Sequence, residues 1–130
     1  MTHTTRTRAA VITTAMLLPL FTALPASAND DDVIREGGCS GGTDWKVKAS
    51  PEDGRVEVEG EIDSNRSGQT WHWKIKHNGS SSARGSAVTG GRSGSFEVRR
   101  VLVDLSGVDT FVFRARNRGS GEICRGFVTF

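Results

Sequence analysis

The stretch RVEVEGEIDSNRSGQTWHWKIKHNG, residues 55–79, decides the fold. From Arg55 to Asp63 apolar or small residues alternate with acids. Val56, Val58, Gly60 and Ile62 fall on one side, and Glu57, Glu59, Glu61 and Asp63 on the other. Successive side chains of a strand point to opposite faces, so this is a strand with one face buried and one in water. Thr70 to Lys76 repeats the pattern: Trp71, Trp73 and Ile75 share one face, and Thr70, His72, Lys74 and Lys76 the other. The tryptophans are in phase with Ile75, which predicts a core strand. The competing reading is an exposed aromatic platform for sugars built from Trp45, Trp71 and Trp73. Asn78-Gly79 then closes the segment with the residues a two-residue hairpin turn favours, because both central positions need positive φ.

The same texture extends both ways. Asp44–Ala49 alternates Trp45 and Val47 with Lys46 and Lys48, and SPEDGR turns the chain. Ser81–Val88 is small and polar, as an edge strand is. Ser95–Asp104 carries Phe96 and Val98, then Val101 and Val103 after a change of phase at Arg99-Arg100, where a β-bulge is expected. Thr110–Asn117 and Glu122–Phe130 complete the set. No window sustains a helical period. Seven short strands with regular turn signals predict an all-β chain, an antiparallel β-sandwich of immunoglobulin-like type, with a small β-barrel as the alternative. The basic outward face of 70–76 should stand beside the acidic face of 55–63, unless Lys46 and Lys48 take that place.

The ends set the compartment. Residues 1–28 carry Arg6 and Arg8, an apolar run from Ala9 to Leu24 broken by Thr13, Thr14 and Pro19, and Ala26-Ser27-Ala28. This is the plan of a secretory signal peptide, with cleavage expected after Ala28. The acidic segment 29–38 is expected to be a disordered tail, leaving residues 39–130 as one domain. Arg6 and Arg8 leave with the signal, so the exported chain has fifteen basic and 15 acidic residues. It has no global charge to draw it to nucleic acid or, once the signal is gone, to a membrane. The two cysteines, Cys39 and Cys124, both lie in the exported part and are expected to form a disulfide joining the first and last ordered segments. On the chain-entropy model a loop of that size is worth about 4–5 kcal/mol.

Catalytic groups are sparse. His72 and His77 are the two histidines outside the signal and face opposite ways on one strand, so they neither pair with a nucleophile nor share a metal. Glu57, Glu59 and Glu61 form an i, i+2 row of the kind a solvated strand face shows. A glycan-acting enzyme built on such carboxylates is therefore the least favoured reading, and no cofactor or metal is expected. Arg99, Arg100, Arg114, Arg116 and Arg118, with Arg125, crowd the last third of the chain. They form a candidate patch for an anionic polymer such as wall teichoic acid or a sulfated or phosphorylated glycan. The segment 90–94 with Arg92 is a candidate protease-inhibitor or effector loop.

The segments CSGGTDWKVKASPEDGRVEVEGEIDSNRSGQTWHWKIKHNGS, GSFEVRRVLVD, FRARN and GEICRG together resemble a family of small exported proteins of actinomycete-type bacteria. The resemblance implies secretion and a compact β domain, and brings no active site with it. The expectation is a secreted, monomeric, non-catalytic binding module whose partner is a cell-wall or extracellular polymer or a protein.

Overall fold

A computed structural model describes residues 31–130; the expected signal peptide, its cleavage site and the first residues of the expected tail lie outside them. Eight strands form two antiparallel sheets of four. The strands are β1 (Val33–Gly38), β2 (Asp44–Glu52), β3 (Arg55–Asp63), β4 (Thr70–His77), β5 (Ser80–Val88), β6 (Ser95–Val103), β7 (Thr110–Asn117) and β8 (Ile123–Thr129). One sheet, A, has the order β1-β2-β3-β6; the other, B, has β5-β4-β7-β8. The sheets do not close into a barrel. Leaving β1 aside, three strands face four in the Greek-key arrangement of immunoglobulin-like sandwiches, with the chain crossing between sheets after β3, β5 and β6.

Two expectations are corrected here. Residues 33–38 are not a tail: they pair along β2 from Val33↔Ala49 to Gly38↔Asp44. The acid-rich, glycine-rich composition hides a strand that needs just two inward residues, Val33 and the flat Gly37, to sit on the sandwich edge. Arg99-Arg100 holds no bulge either, since β3 and β6 stay in register from Arg55↔Val103 to Asp63↔Ser95. Arg100 simply takes a core-side position at the sheet edge, its guanidinium 4.9 Å from the Trp73 ring centroid, a cation–π contact that satisfies both the charge and the pattern. The bulge lies in β5 instead, opposite Ile75/Lys76.

The core is what the alternation predicts. Val47, Val56, Val58, Ile62, Trp71, Ile75, Phe111 and Phe113 are fully buried between the sheets. Trp71 and Trp73 are therefore interior, 0% and 5% exposed, and form no sugar platform. Trp45 is half-buried, wedged between the backbones of Gly37 and Gly126, where an added Cβ would lie 2.7 and 2.3 Å from its ring. Its indole N–H donates to the Gly38 carbonyl at 3.1 Å. The Cys39–Cys124 disulfide closes the same β1/β8 edge, spanning 85 residues.

Candidate functional site

The outward faces of the two sheets differ in charge, and the strand sequences say why. β3 carries Glu57, Glu59, Glu61 and Asp63, and the remaining strands of sheet A add Glu36, Asp44, Glu52 and Glu97. The strands of sheet B contain no acidic residue at all, while carrying Lys74, Lys76, Arg84, Arg114, Arg116 and Arg125.

On sheet A the opposite charges meet. Lys46 pairs with Glu61, and Lys48 lies 3.2 Å from Glu59. Arg99 lies 3.0 Å from Glu59 and 2.7 Å from Glu97. The Glu61 hydrogen bond raises the Lys46 ammonium above its usual pKa. Burial, and then the neighbouring Glu59, raise the Glu57 carboxyl. The lysines of β2, rather than those of β4, thus neutralise β3, because β4 sits in the other sheet.

Sheet B lacks that compensation. Register places Arg84 opposite Lys74, Lys74 opposite Arg114, and Arg114 opposite Arg125. Four cations therefore lie in one line across four strands. At the usual strand spacing the line is about 14 Å long. Lys76 and Arg116 flank it in the adjacent rows, where Lys76 faces Val112 and Val112 faces Phe127. Lys74, Lys76, Arg84, Arg114 and Arg116 come from side chains that β4, β5 and β7 must point outward when Trp71, Trp73, Phe111 and Phe113 point in. Among the described residues no ion pair involves any of the six. Like charges directly opposite on neighbouring strands destabilise a sheet, so folding alone gives no reason to align four. A depression of about 390 Å³ opens on this face, lined by Lys74, Lys76, Gly79, Val112, Arg114 and Arg125.

The arginine patch expected from the sequence is thus divided. Arg114 and Arg116 belong to the basic face, as does Arg125. Arg99 lies on the opposite face among acids, Arg100 covers Trp73, and Arg118 sits in the turn between β7 and β8. Lys74, Lys76 and Arg84 are the members the linear reading missed. Their signal was the absence of Asp and Glu from residues 70–88, which acquires meaning only when β4 is placed beside β7.

The other expected sites are located as follows. Arg92 is exposed at the tip of a tight turn that reciprocal Gly90–Ser95 backbone bonds of 2.9 and 3.1 Å close, between Gly91 (φ 67°) and Gly94 (φ 66°). That turn does not offer the extended backbone a protease cleft reads as an added strand. His72 is exposed and bonds Ser86 at 2.8 Å. His77 is drawn into structure: its Nε2 lies 2.7 Å from Asp109 Oδ1, and its ring stacks on Phe111 at 4.5 Å. Among the described residues no group of three His, Cys, Asp or Glu is placed to hold a metal. A larger polar depression, about 620 Å³, lies among the loops 39–43, 64–69 and 118–122 at one end of the sandwich. Its two charged residues are Arg66 and Glu122, and Glu122 is engaged by the Thr43 hydroxyl.

Asp109 has a clear local task. It is fully buried, accepts from Asn78 Nδ2 and the Leu105 N–H at 2.9 Å each, and ties the β6–β7 loop to the β4–β5 turn. The hydrogen bond with His77, aided by those from Leu105 and Asn78, holds its carboxyl below the ordinary range against the opposing effect of burial. A carboxyl with a depressed folded pKa contributes stability above its unfolded value, about 3.9, and loses that contribution as pH falls through the folded value. The stability difference between wild type and Asp109→Asn, read from denaturant midpoints, is expected to shrink as pH falls below about pH 4. A difference that stays flat to pH 2 would assign Asp109 no ionised role.

No family model, curated protein or solved structure matches this chain.

Proposed function

We propose that this protein is a secreted, non-catalytic binding module that acts outside the cell or at its wall and binds anionic polymers through the outward face of sheet B. The single observation behind this reading is the row Arg84–Lys74–Arg114–Arg125, six cations in all with their flanking neighbours, on a sheet whose strands carry no acid. A rigid cationic face of this kind suits a ligand of repeated negative charge, since mutual repulsion among the cations is relieved on binding and counterions are released from the polymer. The Cys39–Cys124 disulfide is compatible with an oxidising, extracellular setting, and the signal-like sequence of residues 1–28 points the same way.

The test is retention on an immobilised anionic polysaccharide as salt is raised. Arg114→Glu/Arg125→Glu is expected to weaken binding about 100-fold at low ionic strength, and Lys46→Glu on the opposite sheet to leave it within about twofold. Equal loss in both variants, or none in either, would remove the basic face from consideration.

A further inference from the structure

The face offers more than charge, and its apolar parts bear on the chemistry of the ligand. The depression between the cations has Val112 on its floor, half-buried, and Gly79 at its wall, where no side chain closes it. Phe127, outside the depression's lining, is directly opposite Val112 in the β7–β8 register and is 54% exposed. A cavity of about 390 Å³ is within the range of small-molecule sites. We propose, resting on the basic-face reading above, that this face takes an acidic polysaccharide. One anionic sugar sits in the depression, its C–H face against Val112 and Phe127 and its acid group among Lys74, Lys76, Arg114 and Arg125, while the chain continues along the cationic row.

Other polyanions use these features less completely. A linear polyphosphate engages the cations but leaves Val112 and Phe127 without a partner. An anionic bilayer would use a cluster of protruding apolar side chains, and among the described residues Phe127 is the one exposed apolar ring beside the cations. A single-stranded nucleic acid stacks successive bases on successive aromatic rings, and this face offers Phe127 and the Ser86-bonded His72 rather than a row of them.

The oxidised protein is titrated calorimetrically with a sulfated or carboxylated hexasaccharide, with an inorganic polyphosphate of equal total charge, with a single-stranded oligonucleotide, and with vesicles of mixed neutral and anionic phospholipid. The hexasaccharide is expected to bind at least about tenfold more tightly than the other three. Phe127→Ala, at an exposed position where folding is not at risk, is expected to weaken the saccharide about fivefold and to leave polyphosphate unchanged. Arg114→Ala/Arg125→Ala weakens both. Polyphosphate, oligonucleotide or vesicles binding as tightly as the saccharide, or Phe127→Ala acting equally on saccharide and polyphosphate, would overturn the polysaccharide assignment and leave the basic face standing. Absence of binding to all four would overturn both.

Discussion

The double variant Cys39→Ala/Cys124→Ala is expected to lose about 4–5 kcal/mol of unfolding free energy, and with it about 20–30 °C of melting temperature. The bond closes a loop of 85 residues, nearly the whole described chain, so its removal frees the unfolded ensemble more than almost any other covalent change here. Domains of this size have only about 5–15 kcal/mol in total, so the loss runs from about a third of the stability to nearly all of it. Alanine is the proper replacement because Cys124 is fully buried and a serine hydroxyl there would need a partner. If the effect lies in the unfolded state, the denaturant m value should rise, since the open chain exposes more surface. An unchanged m value with a smaller loss, under about 2 kcal/mol, would show instead that the edge holds itself together through Trp45, seated between Gly37 and Gly126 beside the disulfide.

Much of the sandwich was legible because its strands alternate so regularly. β3 matches its expected bounds, Arg55–Asp63, and β4, β5, β6 and β7 lie within a residue of theirs. The Asn78-Gly79 turn has the positive φ values, 48° and 84°, that the dipeptide predicts. β1 escaped because an edge strand on the rim of a sandwich buries little, and its Glu36, Gly37 and Gly38 resemble a linker by composition alone. The bulge at Arg99-Arg100 was a misreading of a different kind: it assumed that every inward position is apolar. Arg100 fills one by laying its guanidinium over an indole, which no periodicity rule foresees.

The basic face was harder to read, and the reason lies in pairing. A strand's sequence states which residues share a face, but not which strand lies alongside. Lys74 and Lys76 could have neutralised Glu59 and Glu61 had β4 followed β3 in the same sheet. Because the chain crosses to the other sheet between them, the lysines meet Arg84 and Arg114 instead. A protein nearly neutral after the expected loss of Arg6 and Arg8 is thereby polarised, its sheet A strands carrying acids and bases together while its sheet B strands carry bases and no acid. The crossover is thus the structural step on which the proposed function rests.

Trp71→Ala is expected to destabilise the protein by about 3–5 kcal/mol, and Trp71→Phe by much less. Trp71 is the largest fully buried side chain, part of the core cluster between the sheets, with Ala87 and Asn117 as its register partners in sheet B. Truncation leaves a cavity that the two sheets cannot close without moving toward each other, and the sheet spacing is held by the rest of the core, Trp73 and Phe113 among it. The contrast with phenylalanine comes from the indole nitrogen. Among the described residues Trp71 Nε1 is buried without a hydrogen-bond partner, unlike that of Trp45. An unpaired buried donor costs about 1–3 kcal/mol, so a ring that lacks it regains part of what its smaller volume gives up. Trp71→Phe is accordingly expected within about 1.5 kcal/mol of wild type, measured by urea unfolding with the disulfide intact. A loss as large as that of Trp71→Ala would mean that the indole's shape outweighs its unsatisfied donor. Both substitutions should leave polysaccharide binding unchanged in the folded fraction, because Trp71 faces the core while Arg114 and Lys74 face the solvent on the same sheet.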